Sequence, residues 1–69
     1  MERQTVTSSN IASIGYDETT GTLEVEFLNG GLYHYYDVPY NEYQEFMQAE
    51  SHGKYLAANI KGRYRYSKV

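Results

Sequence analysis

The side chains of this 69-residue sequence that could carry chemistry fall into four groups. The first is the histidine pair, His34 and His52. A metal site built on two histidines needs a carboxylate on a shared face, and nothing in the spacing brings one to both. His52, just before Gly53, reads more simply as a group meeting free carbonyls at a helix C-terminus. No metal is expected. The second is Gly53-Lys54, which echoes the end of a phosphate-binding loop. Gln48 stands where that loop needs its first glycine, and Tyr55 where it needs a magnesium-binding Ser or Thr, so the match fails. The third is Asp17-Glu18, adjacent carboxylates of the type used as general acid and base. Followed by Thr19-Thr20-Gly21, they read as a solvated turn. Cysteine is absent, and no serine or threonine has a base partner that the sequence identifies. The chain is therefore expected to be no enzyme and to use no cofactor.

The fourth group is Lys54, Lys61, Arg63, Arg65 and Lys68, interleaved with Tyr55, Tyr64 and Tyr66. Cations set among aromatics suit single-stranded nucleic acid, because the cations meet phosphates and the rings stack on bases. On an extended segment Arg63 and Arg65 point the same way, about 7 Å apart, near the spacing of successive phosphates. These five basic residues are the candidate nucleic-acid contacts, with RNA or tRNA as the expected partner. The same composition also fits a last strand that packs Tyr64 and Tyr66 and leaves its arginines in water.

Charge is split along the chain. Residues 1–53 hold all nine acidic groups and one basic group, Arg3, for a net charge of −8, whereas residues 54–69 carry +5. The basic end can be an anion-binding footprint, or it can pair with acidic groups of the same molecule for little stability. The acidic remainder, including Glu42, Glu45 and Glu50, suits a second class of function, a protein-interaction module. Neither a secretory leader nor an apolar run of the roughly 20 residues that span a membrane is visible, so a soluble, cytoplasmic protein without a membrane partner is expected.

These groups must be positioned by a small domain. A chain this short buries only about 60% of the surface it exposes when unfolded. Val, Ile, Leu and Phe number 13 of 69 residues, and nine tyrosines supply the missing apolar mass, which predicts a tyrosine-rich core with hydroxyls at its rim. Residues 1–9 are polar and expected to fray. Ile11 to Asp17 alternates, with Ala12, Ile14 and Tyr16 on one face. In Thr22 to Phe27, Leu23, Val25 and Phe27 face inward and Glu24 and Glu26 outward. Asn29-Gly30-Gly31 marks a hairpin, and Leu32 to Val38 forms a third strand. A three-residue loop there sets Tyr33 against Phe27 and Tyr35 against Val25, in the core. A two-residue loop would expose both tyrosines. Two glycines favour the first, a type I turn closed by a bulge, and make Tyr33 and Tyr35 structural.

After Pro39 a helix is expected, N-capped by Asn41 with Gln44 completing a capping box. Its stripe is Tyr43, Phe46 and Met47, with Glu42, Glu45 and Gln48 on wetter faces. Gly53 ends it, and a shorter helix from about Lys54 to Lys61 carries Leu56 and Ile60. Residues 63–66 alternate as a last short strand or extended tail. The predicted fold is α+β: a three-stranded antiparallel meander followed by two helices packed on one face, in a single domain spanning 1–69 with its core at about 8–66.

In chain order, Ile14-Gly15-Tyr16-Asp17, Leu23, Val25, Phe27, Asn29-Gly30, Tyr33-His34-Tyr35, Val38-Pro39, Ala49, Ser51, Gly53, Tyr55 and Ile60 resemble the KTSC domain. That family is named for the C-terminus of some lysyl-tRNA synthetases and also occurs as free-standing small proteins of bacteria and phages. Its most recognisable feature is a Tyr-x-Tyr, matched here by Tyr33 and Tyr35, and the resemblance covers roughly residues 8–66. It implies no established activity, no catalytic residues and a suggested link to RNA.

Overall fold

The computed structural model describes residues 1–69 as one antiparallel sheet of five strands with its helices on one face. The strands are β1 (Arg3–Thr5), β2 (Ile11–Asp17), β3 (Thr22–Phe27), β4 (Leu32–Tyr35) and β5 (Tyr66–Lys68), and they lie side by side in sequence order. Between β4 and β5 the chain forms α1 (Tyr40–Gln48), α2 (His52–Tyr55) and a π-helical turn, Leu56–Ile60. The α+β class is as predicted. The three-stranded meander is its centre, and a short strand is added at each edge.

Both added strands are short and exposed; no alternation announced β1, and the alternation at 63–66 placed the last strand too early in the chain. β1 turns the expected frayed end into a ladder on β2, pairing Gln4 with Ile14. It crosses closest at Gly15, where a Cβ would stand 2.7 Å from the Glu2 carbonyl oxygen. Only a glycine lets the N-terminal chain approach so closely.

The core is Ile11, Ile14, Leu23, Val25, Tyr35 and Val38 from the sheet side, closed by Phe46, Leu56 and Ile60 from the helices. Each fully buried aliphatic or Phe side chain contributes about 1.5–3 kcal/mol of transfer free energy. Ile11 replaces the expected Ala12 because a bulge between Ile11 and Ser13 shifts the pairing with β3. One extra residue in β2 reverses the alternation there. Phe27, Tyr16, Tyr33, Tyr43 and Met47 pack around this core half-buried.

The β3–β4 hairpin has the predicted type of loop, placed one residue earlier. Phe27 N–H donates to the Gly31 carbonyl and Gly30 N–H to the Phe27 carbonyl, and Gly30 takes φ 95°. The loop is therefore Leu28-Asn29-Gly30, and Tyr33 pairs with Val25 and Tyr35 with Leu23. The partners differ by two residues from those expected. An even shift keeps the faces, so both tyrosines remain on the core side.

The helical segment departs further. α1 is capped by Pro39, whose carbonyl accepts from the Glu42 and Tyr43 amides, and Asn41 lies inside the helix. Pro39 enters with extended ψ and cannot itself donate, so it starts the helix two residues ahead of the proposed Asn41 cap. α1 ends at Gln48, before Gly53. Gly53 instead sits inside α2, where a Cβ would be 2.5 Å from Asn10 Oδ1. Ser51 caps α2 by accepting from the Lys54 amide. The π-helical turn, closed by the Lys61 amide on the Leu56 carbonyl at 2.8 Å, seats both Leu56 and Ile60 in the core. Gly62 at φ 82° then reverses the chain. No helix is long and apolar enough to cross a membrane.

Candidate nucleic-acid interface

The reversal at Gly62 decides how the basic residues are arranged. Residues 61–64 form turns, with the Arg63 and Tyr64 amides donating to the Ile60 carbonyl. The expected extended segment at 63–66 is thus bent, and the strand lies at Tyr66–Lys68. Arg63 and Arg65 do not form a pair of parallel phosphate contacts. Arg63 Nη1 lies 3.4 Å from Glu42 Oε1, and Arg65 Nη2 lies 3.0 Å from Asp37 Oδ2. Their guanidinium groups also stand over Tyr64 and Tyr36. Lys54 is exposed on α2. The five basic candidates are therefore divided among four places, and the two that come together are Lys61 and Lys68.

Lys61 and Lys68 flank a groove of about 850 Å³ on the helix-bearing face of the sheet, past the end of the helical cover. Its floor is aromatic: Phe27, Tyr33, Tyr35 and Tyr66. The rings are arranged edge to face or tilted, Phe27 on Tyr33 at 5.6 Å and Tyr66 against Tyr33 and Tyr35 at 6.0 and 5.8 Å. The walls are the β3–β4 loop and the Lys61-Gly62 turn. β5 pairing builds the groove, because Tyr35 opposes Tyr66 and Tyr33 opposes Lys68. Lys61 Nζ stands 5.7 Å from the centre of the Phe27 ring. No acidic residue lines the groove, and neither lysine is tied to a carboxylate. The arrangement can hold a planar group against the rings and an anion at the lysines.

Tyr33 and Tyr35 divide their roles. Tyr35 is 3% exposed and belongs to the core, and burial pushes its phenol above the usual value, with nearby Tyr33 and Tyr66 adding to the effect. Tyr33 is half-buried and forms floor of the groove as well as packing on the core. Tyr66 was among the aromatics read beside the basic residues, whereas Phe27 and the hairpin loop had no place in the sequence-based site. The Asn29-Gly30-Gly31 signal located the loop, but nothing local showed that it faces Lys61 across the sheet.

Two polar clusters surround the groove without entering it. On the opposite face of the sheet, Glu24 accepts from Arg3 at 3.1 Å and bonds His34 Nε2 at 2.7 Å. Burial pushes the Glu24 carboxyl up, but the His34 bond and the Arg3 charge outweigh it and hold the group below the usual carboxylate value. His52 lies on the helix side, with Nε2 3.3 Å from the Met47 carbonyl at the end of α1, so the two histidines occupy opposite faces.

The second cluster centres on Glu42, expected in water but 7% exposed. It accepts hydrogen bonds from the Tyr55 hydroxyl and, at 2.9 Å, from the Tyr64 hydroxyl. Burial raises the phenols of Tyr55 and Tyr64, and the bond to the carboxylate raises them further. Three donors from beyond α1 replace the water that this carboxylate would lose. Glu42 thereby anchors the chain on both sides of Lys61.

A five-stranded antiparallel sheet with helices on one face, and a Tyr-x-Tyr strand paired beside its C-terminal strand, is the architecture shared with a solved KTSC domain protein. The sequence profile of that domain matches residues 7–64, and the chain belongs to this family. It is similar to a solved KTSC domain protein from Yersinia pestis, with a TM-score of 0.96 and 43% identity over 99% of this chain and 96% of that one. An uncharacterised protein of Stutzerimonas stutzeri is 39% identical over 100% of this chain and 99% of its own length. A lysine–tRNA ligase of Trichormus variabilis is 38% identical over 88% of this chain, a match that occupies 11% of the ligase.

Proposed function

We propose that this KTSC domain is a non-catalytic module that binds RNA in the groove between the β3–β4 loop and β5, with Lys61 and Lys68 as its phosphate contacts. The observation that carries this reading is the pairing of two carboxylate-free lysines with an aromatic floor in a groove without an acid. Charge elsewhere opposes a nucleic acid: Glu24 and Glu26 occupy the other face of the sheet, and Arg63 and Arg65 are partly neutralised by Glu42 and Asp37. The similarity of the lysine–tRNA ligase segment makes tRNA the first RNA to try.

A gel shift with mixed tRNA at several salt concentrations tests this. Two phosphate contacts give a slope of roughly −1.5 for log affinity against log salt, so binding is weak and strongest at low salt. Lys61→Ala together with Lys68→Ala abolishes the shift and leaves the fold intact, because both side chains are exposed. Binding that survives the double substitution, or no shift of the unaltered protein at low salt, refutes the proposal. The docking-module reading is weakened by the loss of Glu42 from the exposed acidic face; Glu45 and Glu50 alone remain there.

A further inference from the structure

We infer that the groove takes an unpaired nucleotide, with Tyr66 as the platform on which its base stacks; this rests on the RNA reading above and narrows it to single strands. Tyr66 is 62% exposed although its ring is braced at 6.0 Å by Tyr33 and at 5.8 Å by Tyr35. An aromatic ring held by two others yet left largely in water is a preformed surface for another flat group. Tyr66 and Lys68 are two residues apart on β5 and so point to the same side of the strand. A base on Tyr66 therefore brings its phosphate toward Lys68, with Lys61 across the groove.

A duplex cannot use these features. Its base faces are already stacked on one another, so it would offer the aromatic floor only charged backbone. Two lysines also supply little of the charge that duplex binding relies on. The walls favour a thin strand: a Cβ built on Gly30 or on Gly62 would meet no atom within 4 Å, so neither rim is crowded by side chains.

The experiment is fluorescence anisotropy at low salt, with a labelled single-stranded uridine oligomer of roughly ten nucleotides and a blunt RNA hairpin of equal phosphate number whose two strands are joined by a non-nucleotide linker, so that it has no unpaired base. The unaltered protein binds the single strand more tightly than the hairpin. Tyr66→Ala lowers single-strand affinity about tenfold or more, as expected from the loss of one stacked base, while Tyr66→Phe retains it. Circular dichroism of both variants checks the fold. Equal binding of strand and hairpin, or no change with Tyr66→Ala, overturns the single-strand inference and leaves the RNA reading standing. Failure to bind either probe or tRNA removes both.

Discussion

Replacing Glu42 by alanine is the most informative single change, because a residue that reads as a surface glutamate is here the anchor of the C-terminal third. The carboxylate receives the hydroxyls of Tyr55 and Tyr64 and an Arg63 guanidinium at 3.4 Å. A hydrogen bond to a charged group contributes about 1.5–3 kcal/mol. Arg63 is 60% exposed, so its ion pair adds at most about 1 kcal/mol. Against these gains stands the cost of burying the carboxylate, which the alanine removes. Both phenols are half-buried and regain some water when their acceptor leaves. The net loss is about 2–4 kcal/mol, most of the roughly 3–5 kcal/mol that so small a core supplies. Glu42→Gln keeps the shape and one acceptor oxygen and costs about 1–2 kcal/mol. Urea unfolding followed by circular dichroism measures this. With a slope of about 1 kcal/mol/M for a chain this short, the alanine variant loses roughly 2 M or more from its midpoint. The cycle with Tyr64→Phe shows coupling, because the two changes remove the same bond. An alanine variant within about 0.5 kcal/mol of the unaltered protein would mean that Glu42 lies in water and the reasoning is wrong.

Two further outcomes follow from the same geometry. Burial raises the phenols of Tyr16, Tyr35, Tyr55 and Tyr64 above their usual value, with the Glu42 carboxylate adding to the last two. The folded chain therefore keeps protons that the unfolded chain releases near pH 10. Their contribution is complete below about pH 10 and is lost as pH rises through the folded values. An ultraviolet titration should show these four phenols ionising above the ordinary value, with unfolding accompanying their ionisation, and ionisation of all four at the ordinary value would contradict it. Gly15→Ala should release β1, since its Cβ would meet the Glu2 carbonyl at 2.7 Å and Arg3 Cγ at 2.9 Å. Such overpacking costs about 1–3 kcal/mol. Faster amide exchange confined to Arg3–Thr5 and their β2 partners is the expected signature, and unchanged exchange there would show that the two strands do not touch.

The centre of the fold was legible because its signals are local. Alternation in Thr22–Phe27 and the glycines after Asn29 specify neighbouring strands, and an error of two residues in register leaves every side chain on its proper face. The KTSC resemblance was legible for the same reason, being carried by short pieces in order. The first edge strand, Arg3–Thr5, was not, because it has no apolar face and exists only by pairing with β2, and the last was expected at 63–66 but forms at Tyr66–Lys68, where pairing with β4 fixes it. The burial of Glu42 was hidden by distance: Tyr55 and Tyr64 stand 13 and 22 residues away. The candidate site was half legible. Composition singled out the five basic residues, but their division rests on the turn around Gly62, which breaks the strict alternation from Arg63 to Tyr66.

The groove owes part of its floor, Tyr66, and one of its two lysines to the last three-residue strand of the sheet. β5 pairs with β4 across more than thirty residues, Tyr33 with Lys68 and Tyr35 with Tyr66, while β2, β3 and β4 are joined by short hairpins. Loop closure of that length is entropically costly, so the hairpins can form early, whereas β5 docks only after the helices have folded back. All three of its residues are exposed, which places it among the segments that open locally without global unfolding. The groove is then the least durable part of the molecule, assembled and dismantled while the core stays intact. A ligand bridging Lys61 and Lys68 would draw its affinity partly from holding β5 in place. Slowed exchange of the β5 amides, at an unchanged rate in β2 and β3, would be the mark of an occupied site.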